Sequence, residues 1–277
     1  MQMTAKADSG RFQSGADKYA AYLETPEGRL RSDLAFANLQ DFLVLPQSER
    51  SLRGLDLGCG TGATAVRLAR LGIHMTLLDS SSAMLDIAKR AAREAGVDGN
   101  IVLNDGDAGQ VLKLFPAESF DVVLCHNILE YVDDPVAVLR GAARTMQDSS
   151  AVLSVIVRNQ AGEVLKAAIQ AGDLAAAEQK LTAEWGLESL YAGKVRLFTP
   201  EGLRAMLMKS SLAVTAERGV RVISDYLPPQ ISRHEDYERI FELERKLGCR
   251  PEFAAVARYI QVIARHSREA LSKETAS

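Results

Sequence analysis

Cysteine is scarce in this 277-residue chain: there are three, Cys59, Cys125 and Cys249. They are odd in number, far apart and outside any CxxC or Cys/His ligand spacing, which argues against a disulfide framework and a cysteine-built metal site and points to a reducing compartment. Long apolar runs are missing too. None approaches the roughly 20 residues needed to cross a bilayer, and the first residues carry no basic-then-apolar leader. The expectation is a cytoplasmic chain with no membrane partner and no metal. Neither charge is in marked excess: 33 Lys and Arg stand against 36 Asp and Glu, a net charge of −3. Bulk charge therefore offers a polyanion no attraction, and any nucleic-acid contact has to come from a local basic surface. Internal repeats and low-complexity tracts are also absent.

The chain does have apolar content, 47%, enough for a buried core in one large domain with an added segment. Residues 1–9 are small and polar and read as a disordered lead. Helical pattern begins near Phe12, and a second helix covers about 27–42, where Leu30, Leu34, Ala37 and Phe42 recur at near-helical spacing. Residues 46–50 read as a linker. Apolar runs at 52–57, 74–78, 101–104, 120–126 and 151–157 then alternate with helical segments, which implies a parallel sheet covered on both faces. After Arg158 the pattern changes, and 162–169 and 174–187 read as two helices of an insertion at about 160–198, the second holding the single tryptophan, Trp185. Thr199 and Pro200 supply an N-cap and a first helical residue, and the α/β order resumes through to a last strand, YIQVIA. The expected organisation is an N-terminal helical cap over 1–50 and an α/β domain over 51–277.

The stretch LDLGCGTG, residues 55–62, leaves a buried strand and enters a helix. Gly58, Gly60 and Gly62 let the backbone turn sharply and approach a ligand closely. The glycine spacing also satisfies the loose GxGxxG/A dinucleotide pattern, with Ala63 in the last place, so spacing alone does not separate NAD from another nucleoside. Asp56, just before the turn, can accept from the turn's amides or face a cationic group of the ligand, where NAD fingerprints usually carry an apolar residue. Asp79 ends the next strand, where a carboxylate can receive both hydroxyls of a ribose; that position suits either cofactor. The third strand leads to Asp107 and Ala108, whose carboxylate and amide can read an adenine edge, and the fourth ends in Cys125-His126-Asn127. Four consecutive strand ends thus carry polar groups at the sheet edge where ligands of doubly wound folds collect.

These residues resemble the class I S-adenosylmethionine-dependent methyltransferases, whose LDLGCGTG turn, ribose aspartate, GDA adenine site and FDVVLCHNILEYV strand occur here in that order. The resemblance implies a doubly wound, mostly parallel seven-stranded Rossmann-like sheet with a reversed terminal hairpin, and S-adenosylmethionine as cofactor. A narrower resemblance, in EGRLR (27–31), HNILEYVDDP (126–135), GVRVISDYL (219–227) and RYIQVIAR (258–265), is to the bacterial tRNA 5-carboxymethoxyuridine methyltransferases, which esterify the carboxylate of a modified wobble uridine. It implies that Arg31, Gly58, Cys59, Asp79, Asp107, Ala108 and His126 contact the cofactor, with Arg31 pairing with its carboxylate; Asp56 and Gly60 join them from the turn itself. Two features depart from that pattern: the lysine-rich run before the Thr-Pro helix is reduced to Gly193-Lys194-Val195-Arg196, and Arg158 replaces a tyrosine.

Arg158, Arg196 and Arg221 are the candidate acceptor-binding cations, since a carboxylate or phosphate suits planar bidentate donors; each is otherwise a solvated arginine. For Cys59 the backbone matters more than the thiol. His126 is read as a cofactor contact, with acid–base catalysis as its other role. Direct displacement needs little beyond positioning, worth about 7–11 kcal/mol, and a carboxylate needs no base, whereas a phenol or amine would need one, with His126 nearest. The acceptor is tRNA or a small molecule, with the insertion, including Trp185 and Tyr191, as a lid in the second case. A cofactor-binding scaffold without turnover is the reading from another class.

Overall fold

A computed structural model describes residues 5–45, 50–188, 190 and 193–267. Two helices lead the chain, α1 (Ala5–Leu23) and α2 (Pro26–Gln40), the second capped by Thr25, whose side chain accepts from the Gly28 amide. The alternating part follows as β1 (Arg53–Leu57), α3 (Ala63–Arg70), β2 (His74–Asp79), α4 (Ser82–Glu94), β3 (Ile101–Asp105), α5 (Val111–Leu114), β4 (Val122–His126), α6 (Pro135–Thr145) and β5 (Val152–Arg158). The insertion comprises α7 (Gln160–Leu165), a wider-wound turn at Lys166–Gln170, α8 (Leu174–Lys180) and the strands β6 (Trp185–Glu188) and β7 (Gly193–Arg196). The chain continues through α9 (Pro200–Lys209), β8 (Leu212–Val220), α10 (Tyr237–Gly248), α11 (Pro251–Ala254) and β9 (Tyr259–His266).

The seven-stranded sheet has the order β3-β2-β1-β4-β5-β9-β8, parallel except for β9, which runs against both neighbours. From β1 the chain winds outward to β3 and then returns to β4 on β1's other side, so β1 and β4 flank the switch point where such sheets bind ligands. Both faces are covered. On one face Leu55, Leu57, Val123, Val155 and Val262 pack with Val138 and Leu139 of α6 and Leu203 of α9. On the other, Leu77, Leu124 and Ile263 pack with Leu39 of α2 and Leu68 of α3, and Ile156 and Tyr259 with Leu30 and Leu34 of α2.

Three local expectations need correction. The first helix starts at Ala5, not near Phe12; Met1–Thr4 lie outside the described residues, as do 46–49 of the expected linker. The second insertion helix stops at Lys180, and Trp185 opens β6, paired antiparallel with β7. Gly186 and Glu188 face inward while Trp185 and Leu187 face out, a period of two, and the Gly186 backbone lies close against Leu197. The insertion is therefore mixed helix and hairpin. Tyr191 lies outside the described residues.

Candidate functional site

Strand register assembles the site. Asp56 sits level with Leu124, Leu124 with Ser154, His126 with Ile156, Gln261 with Ile156 and Tyr259 with Arg158. Level residues and those two apart share a sheet face, so Asp56, His126, Ser154, Arg158, Gln261 and Tyr259 all project to the face covered by α2. A cavity of about 540 Å³ opens there at the carboxyl ends of the strands. Arg31, Asp56, Gly58, Cys59, Gly60, Asp79, Asp107, Ala108, His126, Arg158 and Arg221 all line it, and α1 contributes Phe12, Tyr19 and Tyr22.

The glycine turn is closed by its own protein. The Gly58 and Cys59 amides both donate to the Leu78 carbonyl (2.8 and 3.1 Å), Gly60 donates to Asp79 Oδ2 (2.8 Å), and Gly62 donates to the Cys59 carbonyl (3.0 Å). Gly58 has φ +66°, and a Cβ on it would lie 2.6 Å from Ile128 Cδ1. A pyrophosphate needs free amides at such a turn, and here four are taken, with carboxylates beside them. Asp56 receives none of these amides, which leaves its carboxylate for a cationic group. Burial first, then Asp79, raises the Asp56 carboxyl to about 7. Asp79 is held by Gly60 and by the Ser81 amide at 2.9 Å, with lone pairs left on both oxygens. Asp107 accepts from the Gly109 amide at 2.6 Å, fixing the turn that carries buried Ala108. This donor and acceptor set fits a cationic nucleoside and disfavours a dinucleotide.

At the middle of the cavity, His126 Nε2 lies 2.8 Å from Ser154 Oγ. Burial, and then Arg31, lowers the imidazole to about 3, so it is neutral at physiological pH. Arg31 is itself buried, donating to Tyr19 Oη at 2.8 Å with its guanidinium over the Tyr22 and Tyr259 rings at 5.1 and 5.7 Å.

The far end gathers arginines held by carboxylates. Arg158 meets Glu163 at 3.3 Å and Glu188 at 3.8 Å; Arg221 grips Asp225 and donates to Tyr22 Oη at 2.9 Å; Arg258 meets Glu163 at 2.7 Å. Arg221 has φ +61°, and the loop behind it is fixed by buried Glu244, which accepts from the amides of Val222, Ile223 and Ser224 (2.6, 3.0 and 2.7 Å). Burial alone would raise the Tyr259 phenol, yet Arg158, Arg31, Arg221 and Arg258 together lower it. Glu130 accepts from Asn127 Nδ2 and the Arg158 amide, both at 2.9 Å.

Arg196 is not brought to the cavity: β7 carries it to the hairpin, with its guanidinium 4.8 Å from the Trp185 ring centroid. Sequence reasoning missed Tyr22, Arg258, Tyr259 and Gln261. A signal existed for the last two, since Tyr259 and Gln261 are polar positions two apart in an otherwise apolar strand. Among the described residues no helix is long and apolar enough to cross a membrane, and no group of three or more His, Cys, Asp or Glu could hold a metal ion.

Comparison with known proteins agrees with this geometry. A methyltransferase-domain family model matches residues 48–195, over half the chain. The tRNA 5-carboxymethoxyuridine methyltransferase of Escherichia coli K12 is 29% identical over 92% of this chain and 95% of its own length. The ubiquinone biosynthesis O-methyltransferase of Hahella chejuensis is also 29% identical, over 61% of this chain and 66% of its own. Among solved structures, a Thermotoga maritima S-adenosylmethionine-dependent methyltransferase superposes with a TM-score of 0.60 at 16% identity, covering 92% of this chain and 98% of that one. A [4+2]-cyclase superposes with a TM-score of 0.56 at 20% identity, covering 85% and 80%. The chain belongs to the methyltransferase-domain family and is an S-adenosylmethionine-dependent methyltransferase.

Proposed function

We propose that the acceptor atom is a carboxylate oxygen, and that the acceptor class is the 5-carboxymethoxyuridine of tRNA. The observation that carries this reading is the opposite charge of the two ends of one cavity. Asp56, Asp79 and Asp107 stand at the β1–β3 end, and Arg158, Arg221 and Arg258 at the β5–β9 end, with His126 and Arg31 between. The end-to-end likeness to the tRNA enzyme supports it.

Asp79 would hold the ribose hydroxyls, Asp107 and Ala108 the adenine edge, and Asp56 the ammonium, with the glycine turn admitting the chain of the ligand. Arg31 and His126 would meet its carboxylate. S-adenosylmethionine held there would supply a sulfonium methyl for direct displacement, and a carboxylate acceptor would have no proton to give up. The protein's share is to align the two ligands and keep water out. Helices α1 and α2, whose Phe12, Tyr19, Tyr22 and Arg31 line the cavity, would act as its cap. The arginines at the far end, already oriented by Glu163, Glu188 and Asp225, would receive the carboxylate. This is a reaction of the cytoplasm, where tRNA is modified.

The second reading, methylation of a small anionic metabolite, draws on the net charge of −3 and on Arg196 lying against Trp185 instead of in the cavity. One experiment separates the two. The protein is incubated with methyl-labelled cofactor and an extract from a strain lacking the tRNA ester, and RNA and metabolites are then fractionated. Label in tRNA that mild alkali releases is the expected result. Label confined to small molecules moves the acceptor to the second reading, and label that depends on the added protein and is stable to alkali refutes a carboxylate acceptor.

A further inference from the structure

Behind His126 lies a buried chain of polar groups that the fold does not need for packing. Asn38 Nδ2 donates to Gln261 Oε1 at 3.0 Å; Gln261 Nε2 donates to the Ala35 carbonyl at 2.9 Å and reaches Ser154 Oγ at 3.1 Å; Ser154 Oγ lies 2.8 Å from His126 Nε2. Ser154 and Gln261 have no exposed surface, and Asn38 has 2%. The direction of each bond can be worked out. The Ala35 carbonyl only accepts, so Gln261 must present its amide nitrogen on that side; a flipped amide would put oxygen against oxygen and leave Asn38 facing a second donor. The same nitrogen's other hydrogen points to Ser154, whose oxygen therefore accepts. The Ser154 hydrogen then has one acceptor among the described groups, His126 Nε2, and any other orientation strands a buried hydroxyl.

We propose that Asn38, Gln261 and Ser154 are positioning residues that lock His126 in the tautomer carrying its hydrogen on Nδ1. His126 is then a fixed hydrogen-bond donor to a carboxylate in the cavity and not a base. The half-buried ring lines the cavity, and no described protein group accepts from Nδ1. A proton arriving at Nε2 would face the Ser154 hydrogen, and burial and Arg31 already hold the imidazole neutral. This inference rests on the methyltransferase assignment and deepens it: a site whose one histidine cannot take a proton at Nε2 suits an acceptor that is already an anion.

The test needs no turnover. In ¹⁵N-labelled protein near pH 7, long-range ¹H–¹⁵N correlations of the four histidines, with His126 assigned by its loss in His126→Gln, should show protonated Nδ1 and unprotonated Nε2. An Nε2–H tautomer or an imidazolium overturns the proposal on the unsubstituted protein alone. In Ser154→Ala, and separately in Gln261→Met, the single tautomer should give way to a mixture; a variant that melts as the parent does and keeps pure Nδ1–H also overturns it. S-adenosylhomocysteine carries a carboxylate and methylthioadenosine does not, so a shift of the Nδ1 hydrogen with the first only assigns the donor to the cofactor's carboxylate. A shift that waits for 5-carboxymethoxyuridine assigns it to the acceptor. No shift with any of the three refutes the donor role. The tautomer readout stands whether or not tRNA proves to be the substrate, so the two ideas fail separately.

Discussion

Replacing Asp56 by Asn asks whether the acidic end of the cavity is built for a cation. Burial first and then Asp79 move this carboxyl from an ordinary 3.8 to about 7. Because the folded value lies above the unfolded one, ionised Asp56 opposes folding. The penalty is small near pH 4, grows as the pH climbs toward 7 and is complete above that. At about 1.4 kcal/mol per pH unit, the complete penalty is roughly 4 kcal/mol, and a bound ammonium offsets it. Binding is thus the event that ionises Asp56 when the pH is below 7. S-adenosylhomocysteine, which keeps the ammonium, should bind about tenfold more tightly at pH 8 than at pH 6, since the ionised fraction rises from about one tenth to about nine tenths. Calorimetry in buffers of different ionisation enthalpy should register close to one proton released at pH 6 and little at pH 8. In Asp56→Asn the free protein should melt higher than the parent at pH 8, with the gain shrinking toward pH 4, while the ligand binds more weakly and without proton release. A variant that binds as tightly as the parent, or that is less stable than it at pH 8, refutes the reasoning.

Gly58→Ala should lower stability by about 1–2 kcal/mol and weaken S-adenosylhomocysteine binding, read by thermal melting with and without ligand, because φ is +66° and the new Cβ meets Ile128. Arg158→Gln should leave S-adenosylhomocysteine affinity within about twofold and raise the acceptor KM by at least about tenfold, the loss of one charge-assisted pair, in steady-state assays. His126→Gln should raise the cofactor KM yet leave the kcat–pH profile without a lost limb, since no base is used. Trp185→Ala, at an exposed position outside the cavity, should leave cofactor affinity unchanged in titration calorimetry.

The glycine-turn end of the cavity was legible because its signals are local. A glycine turn, an aspartate at the next strand end and Asp107-Ala108 lie within a few residues of elements that hydrophobic periodicity locates, and each carries its own chemical reason. The arginine-lined end was less so. Arg158 and Arg221 were reachable as strand-end cations, but Arg258 and Tyr259 meet them only through the antiparallel placement of β9 between β5 and β8, and Tyr22 only through the packing of α1, neither of which a local pattern encodes. Arg196 misled for the same reason. Its place depends on whether 185–188 is helix or strand, and the four-residue alternation around Gly186 is too short to outweigh the helical run before it. The Asn38–Gln261–Ser154 chain joins residues up to 226 positions from their partners, beyond any sequence window.

The strand order also explains why one cavity can serve two ligands of opposite charge. Parallel winding from β1 outward puts one carboxylate at each strand end on that side, whereas the return to β4 and β5 and the inserted β9 bring side chains from distant parts of the chain to the other. Packing four guanidiniums around one buried phenol is costly unless partners offset their charge; Glu163, Glu188 and Asp225 pair with Arg158, Arg221 and Arg258, and Arg31 lies against Tyr19, Tyr22 and Tyr259. That pairing leaves the arginines oriented, and together they lower the Tyr259 phenol against its burial. A carboxylate entering there loses water but meets donors already aimed, so its transfer from solvent is compensated. A neutral acceptor would gain nothing from the same arginines, and a cationic one would be repelled. Asp56 imposes the converse preference at the opposite end, and His126 and Arg31 stand between the two.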